Sequence, residues 1–250
     1  MDNLFFFTLG LCFGSFANVV IYRVPKGLSI IKPFSFCPTC KNKIRFYDNI
    51  PLISFILLKG KCRFCKSKIN LRYPIVEFLS GLLFLLAYKK FGISLKMLEV
   101  ILYTYPLMIM AFIDYETGYI YDVILFPSLY AAFIISFVNN HLVESLLYSF
   151  LAFIFGLFLR WLGKTLFKKE ALGEGDPYVF ALMAVYIRDF DLLFTLFLSF
   201  FSGSIVGLFL VFKKKSKYLP LLPYLFLGTF IYYLLYPNHY YLIHKIFFNE

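Results

Sequence analysis

Eight apolar runs dominate this chain, at residues 4–22, 74–91, 97–114, 120–138, 142–161, 177–190, 192–212 and 219–236. A hydrocarbon core about 30 Å thick is crossed by about 20 residues of helix. No water inside it satisfies a backbone N–H or C=O, so a spanning run must bond within itself as a helix. Hydrophobic residues are 61% of the chain and charged ones 16%, a ratio no soluble domain of 250 residues needs. The expected fold class is an all-α polytopic membrane protein with about eight transmembrane helices. The run at 177–190 is the least regular, since it is short and closes on Arg188, Asp189 and Asp191. No internal repeat or low-complexity tract stands out.

The charges orient these helices. Alternate threading puts 20 of the 25 Lys and Arg on one side, in 23–73, 160–176 and 213–218. The other side holds Lys89, Lys90, Lys96, Arg188 and Lys245. Positive loops stay in the cytosol, so the N-terminus is expected outside and 23–73 inside. Asp2 precedes the first run and Arg23 follows it, the reverse of a cleaved signal peptide, so a retained helix is expected. The net charge of +11 suggests nucleic acid, but no folded reading motif accompanies it. Twelve of the cations lie in 23–72 with Asp48 as the one acid, and such clusters beside apolar spans attract anionic membrane lipid. The segment 240–250 is amphipathic and too short to span, so it is expected to lie on the outer interface.

Four of the five cysteines form two C-x-x-C pairs, Cys37 with Cys40 and Cys62 with Cys65. Each pair can aim two thiolates at one point, the pattern of a tetrahedral metal site. Zinc suits four thiolates, and four protein ligands make its role structural. Two disulfides or a rubredoxin-like iron are the alternatives, and disulfides are disfavoured in a reducing cytosolic loop. A 50-residue loop buries little core, so a metal would staple it. Cys12 lies among Gly and Ser in the first run and reads as a packing residue.

Asp114 in MIMAFIDYETGYI and Asp176 in ALGEGDPYVF stand at the cytosolic ends of apolar runs. An ionisable group at membrane depth costs about 2.5–3.5 kcal/mol on insertion scales and usually has a function. Two aspartates brought together can share a proton and activate water, which is aspartic-peptidase chemistry. Gly173 and Gly175 precede Asp176, and glycine permits close approach or dihedrals other residues avoid. The competing reading is a helix start with Asp176 as N-cap and Pro177 at the first position. Asp122 lies at the start of the next helix and is read as supporting. Glu77 is a further acid entering a span, and Asn18 reads as an interhelical hydrogen-bonding residue. No G-x-S-x-G or H-E-x-x-H occurs, which argues against serine and metallopeptidase chemistry.

These residues resemble, in order, the type IV prepilin peptidases, bifunctional leader peptidases and N-methyltransferases of the GxGD aspartic class. GSFANVVIYR resembles the family's first-helix signature. The segment from Cys37 to Glu77 is similar to its zinc-binding segment. FIDYETGYIYD and ALGEGD resemble its two catalytic segments, and LPLLPYLFLG the start of its last helix. The resemblance implies catalytic Asp114 and Asp176, and residues 1–22 as first helix. It also implies a zinc-binding domain at 23–73 and a transmembrane peptidase domain at 74–250. It further implies a bacterial inner-membrane enzyme that cleaves prepilins or pseudopilins after Gly at the cytosolic face. S-adenosylmethionine would be the methyl donor, with Glu77 in its site. The chain departs from the family at Tyr121, where Pro is usual, and at Pro177 and Tyr178, where Val and Lys are usual. The last change removes a positive charge beside Asp176.

Glu116, Asp122, Glu170 and Glu174 are expected to crowd the cytosolic rim and to steer a basic leader inward. The rivals are a proton-relaying transporter and a zinc-stapled scaffold of a secretion machine. A transporter would cleave no peptide; a scaffold would depend on the cysteines and not on the aspartates.

Overall fold

A computed structural model describes residues 1–168, 172–212 and 219–235. Among them, regular structure is helical apart from two isolated β-bridges, Phe36 with Lys43 and Lys61 with Lys68. The helices are α1 (Asp2–Arg23), α2 (Ile53–Leu57), α3 (Arg72–Phe91), α4 (Leu95–Thr117) and α5 (Asp122–Val138), then α6 (Leu142–Phe167), α7 (Asp176–Tyr186), α8 (Asp189–Phe212) and α9 (Leu222–Leu235). Each of the eight expected runs is a helix; the five-residue α2, inside IPLISFILLKG, is additional. Four helices, α1, α4, α6 and α8, are long and apolar enough to cross a membrane, while α5 and α9 are shorter apolar helices. Their apolar residues stay exposed, among them Phe150, Leu151, Phe197 and Phe201, a surface suited to lipid rather than water. The expected segment 240–250 and Glu170 lie outside the described residues.

The chain divides into two compact units, Met1–Ile101 and Leu102–Glu250. In the first, α1 and α3 pack backbone to backbone. A Cβ on Gly14 would sit 2.6 Å from the Glu77 Cα, and one on Gly10 2.8 Å from the Gly81 Cα. Small residues allow this approach, and dispersion holds helices together where lipid removes the hydrophobic drive. Asn18 completes the seam as expected, donating to the carbonyls of Gly14 at 3.2 Å and Tyr73 at 3.0 Å. Arg23 ends α1 buried, donating to the carbonyls of Ser29 at 2.8 Å and Pro33 at 2.6 Å, which folds the next loop back onto the helix.

In the second unit the shortest helix is the core. Ten of the eleven α7 residues are buried, Tyr178 being the exception. A helix apolar on all faces belongs inside, so the least regular run is the most enclosed one. At about 1.5 Å per residue, α7 is far too short to cross a bilayer alone. It ends at Ile187, where the backbone turns extended. Against it lie α4, where Tyr103 stacks on Tyr186 at 5.0 Å, and α8, where Phe200 meets Phe180 at 6.2 Å edge-on. The approach of α6 is closest: a Cβ on Gly156 would stand 2.8 Å from the Pro177 Cα. The buried Tyr103 hydroxyl shares a hydrogen bond of 3.0 Å with Thr229 of α9, tying α4 to the last helix.

Candidate functional site

Asp114 and Asp176 both lie in the second unit and are 2% and 3% exposed. Asp114 sits in the last turn of α4. Gly118 stops that helix, with φ of 71° and its N–H on the Asp114 carbonyl at 2.8 Å, the left-handed stop glycine allows without strain. The Asp114 carboxylate accepts the Leu222 N–H at 3.0 Å. Leu222 opens α9, whose first amides lack helical partners and carry the positive end of the dipole. Pro220 and Pro223 have no amide hydrogen, so the donors between them are Leu221 and Leu222, and both meet the Asp114 carboxylate. Asp176 opens α7, and its Oδ2 accepts the Gly173 N–H at 2.7 Å. Ile120, six residues beyond Asp114, packs against Gly175, the residue before Asp176. Two carboxyls at the ends of different helices thus face one region, each held by a neutral backbone donor.

The N-cap reading of Asp176 is corrected by this geometry. The N-cap is Gly175, and Asp176 is the first helical residue with no side-chain cap bond. Its carboxylate turns back onto its own loop instead. Gly175 has φ of −81°, open to any residue, so its value is space: a Cβ there would meet Ile120 at 2.8 Å. Gly173 contributes its amide. Asp122 is exposed at the first turn of α5, where a negative charge suits the dipole. Of the expected acidic rim, Glu174 is committed to Arg160 of α6 at 2.9 Å.

In the first unit, the sulfurs of Cys37, Cys40, Cys62 and Cys65 lie within 4.8 Å of one another. Zinc–sulfur bonds of about 2.3 Å give a tetrahedral edge of about 3.8 Å. Cys37 and Cys65 are 3.9 Å apart, so the donor set fits a tetrahedral ion and no disulfide joins it. Each pair is a knuckle of one design. Lys41 N–H bonds the Cys37 carbonyl at 2.9 Å, and Lys66 N–H the Cys62 carbonyl at 3.1 Å. Both lysines take positive φ, 61° and 59°. A short duplication is therefore present although none stood out in the sequence; C-x-x-C-K-x-K recurs 25 residues on. Burial disfavours the Cys37 thiolate, but the amides of Cys40 and Thr39 outweigh it and draw the thiol down to about 6. The Asn42 amide favours the Cys40 thiolate, but burial and the neighbouring sulfurs push it up to about 11. A divalent ion is the natural remedy for such crowding. Arg63 grips Asp48 through two bonds of 2.8 and 2.6 Å, pinning the second knuckle to the turn at Phe46–Asn49. That guanidinium holds the Asp48 carboxyl below its usual range.

Glu77 is buried on α3 and accepts the Leu52 N–H at 2.8 Å. It also meets the Ser15 hydroxyl, and among the described residues it has no cationic partner. Leu52 stands at φ 58°, a strained position for a side chain, at the start of α2. Asn18 Oδ1 and Ser80 Oγ on the same pair of helices are buried with no partner. Glu77 thus meets two neutral donors and, among the described residues, no cation, a charge that a cationic ligand would complement.

Three contributors escaped the sequence reading: the Leu222 amide, Gly156 and Arg160. The P-x-x-P at 220–223 was the available signal for the first, since proline marks a helix start whose free amides follow. Gly156 and Arg160 act on a different helix, and no local pattern announces that.

A profile described as the Bacterial Peptidase A24 N-terminal domain matches residues 8–91, and one described as the Type IV leader peptidase family matches 101–208. A prepilin leader peptidase/N-methyltransferase of Myxococcus xanthus is 34% identical over 210 residues, 83% of this chain. The match covers 63% of that relative, so the chain spans less than two thirds of its length. The Klebsiella pneumoniae protein of the same description is 34% identical over 73% of this chain and 84% of its own. A type 4 prepilin-like proteins leader peptide-processing enzyme of Escherichia coli is 33% identical over 88% of both chains. No solved structure matches. With similarity running through both units, the chain belongs to the type IV leader peptidase family.

Proposed function

We propose that this protein is a membrane aspartic endopeptidase that removes the basic leader of prepilins or pseudopilins, with Asp114 and Asp176 as its catalytic pair. The observation that carries the assignment is two buried carboxyls from separate helices, each held by backbone amides, on segments joined by the contact of Ile120 with Gly175. One carboxylate takes a proton from water as the oxygen attacks the scissile carbonyl carbon. The protonated partner bonds to the developing oxyanion. The intermediate then collapses as the leaving nitrogen accepts a proton, giving a leader ending in a carboxylate and a free amine. The two acids titrate as one coupled pair, and neither role is fixed to one residue. A proton relay or a scaffold requires none of this arrangement and is not favoured.

Cleavage is placed after Gly at the cytosolic face of the bacterial inner membrane, with the N-terminus outside. Eight membrane-embedded helices, residues 1–22 as first helix, 23–73 as zinc domain and 74–250 as peptidase domain belong to the same proposal. The 20-to-5 distribution of Lys and Arg supports the orientation. Cys37, Cys40, Cys62 and Cys65 hold structural zinc. Methylation of the new amine follows, with Glu77 complementing the cationic donor. S-adenosylmethionine supplies an electrophilic methyl group when bound.

The test is Asp114→Asn and Asp176→Asn in membranes supplied with a prepilin. Each is expected to lower leader removal by about 10²-fold or more, the scale of lost acid–base catalysis. Cleavage at the parental rate by both variants refutes the assignment.

A further inference from the structure

We infer that Arg160 is a positioning residue for Asp176, anchoring the Gly173–Gly175 loop to α6 through Glu174. The inference rests on the reading of Asp176 as catalytic. Gly156 touches Pro177 at the start of α7, and Arg160 lies four residues further along α6, on the same face. That register places it beneath the loop leading into α7. There Arg160 Nη2 meets Glu174 Oε1 at 2.9 Å. Glu174 sits between the glycine whose amide holds Asp176 and the glycine packed on Ile120. Fixing Glu174 therefore fixes the donor that aims the carboxylate.

Stability is a poor explanation for this pair. The Glu174 side chain is 85% exposed, and pairs so open to water contribute little. An arginine inside a predominantly apolar helix normally faces a polar interior and has a function. The charged groups on the surrounding helices are few. α4 contributes Asp114 and α6 contributes Arg160. α5 offers only the exposed Asp122 at its first turn, and the acids of α8, Asp189 and Asp191, stand at the other end of α7. Glu174 tempers Arg160 and keeps it directed at the loop.

The experiment measures kcat, KM and the pH–rate profile for leader cleavage by purified, reconstituted full-length protein. The variants are Arg160→Gln, Arg160→Lys and Glu174→Gln, with Asp176→Asn as reference. Arg160→Gln is expected to lower kcat about tenfold with KM little changed. It should also move the acid limb of the profile to higher pH, because a carboxylate without its cation ionises later. Arg160→Lys keeps the charge, so the limb should return to its parental position while kcat recovers only in part. Glu174→Gln loosens the loop and leaves Arg160 unpaired, so kcat should fall while the limb stays in place or moves to lower pH. A parental kcat and profile for Arg160→Gln overturns the inference. If that variant does not fold, Arg160→Lys decides: a displaced acid limb there overturns it as well. Full activity of Asp176→Asn would instead remove the underlying site.

Discussion

Gly156→Ala isolates the contact that seats α7. The added Cβ would stand 2.8 Å from the Cα of Pro177 and 3.0 Å from the Pro177 Cβ and Phe180 Cδ2. Carbon atoms rest at about 3.5–4.0 Å, so the shortfall is about 1 Å. The nearest neighbour is backbone, which cannot rotate aside, so α7 itself must shift. Overpacking of this kind costs about 1–3 kcal/mol, and replacing glycine by alanine inside a helix returns about 1 kcal/mol. The net change in stability is therefore modest, about 0–2 kcal/mol by the same two figures. Activity is the sharper readout. Asp176 is bonded directly to Pro177, and a displacement of about 1 Å at a reacting group can cost about 10²-fold in rate. Cleavage of a prepilin in reconstituted vesicles should fall by that order while thermal unfolding in detergent moves only slightly. Gly207→Ala is the control. Its Cβ would meet only Leu219 Cδ2, at an ordinary 3.5 Å, so the rate should hold and stability should rise by up to about 1 kcal/mol. A Gly156→Ala protein cleaving within about twofold of the parent would refute the claim that helix contact positions the acid.

Cys37→Ser or Cys62→Ser should reduce bound zinc below one ion per chain and expose 36–68 to limited proteolysis, because structural zinc is worth about 10–16 kcal/mol to such sites. Metal analysis and the digestion pattern check this; a parental digestion pattern without metal counts against a structural role. Lowering pH should release the ion, since thiolates must be protonated as it leaves. Glu77→Gln separates two roles, because an amide oxygen still accepts the Leu52 N–H while the negative charge is gone. Mass spectrometry of the processed N-terminus should find cleavage intact and methylation reduced about tenfold or more, a loss of about 1.4 kcal/mol in donor affinity. Methylation at the parental level would leave Glu77 as a latch for α2 alone.

Helix existence was legible in the sequence because lipid permits so few solutions to an apolar run. The helix boundaries were less so. Apolarity continues from Pro177 through Ile187, and nothing in it predicts that α7 stops at Tyr186 or that Asp189 opens α8 at φ 54°. The number of full crossings was harder still: α5, α7 and α9 are apolar but shorter than the four helices long enough to cross alone. Inside the zinc segment the thiol spacing announced the metal site, but α2 did not announce itself. Five residues carry no usable period, and the helix depends on Glu77, 25 residues away from Leu52, to hold its first strained amide. The acids were legible as a pair since charge in an apolar run is rare. What binds them was not, because both donors are main-chain N–H groups that every sequence contains.

That last point bears on how the site can work at the membrane edge. Main-chain amides are neutral, so they direct Asp114 and Asp176 without forcing both to ionise, as two dedicated cations would. A peptidase pair needs one proton kept between its members. Had each acid met its own lysine, both would be carboxylates and no proton would remain for the leaving nitrogen. Had neither met a cation or an amide, burial would keep both protonated and no base would exist for water. A pair aimed by neutral donors depends on how its loop is held, which is where the tie of Arg160 to Glu174 acts, beside the amide that holds Asp176.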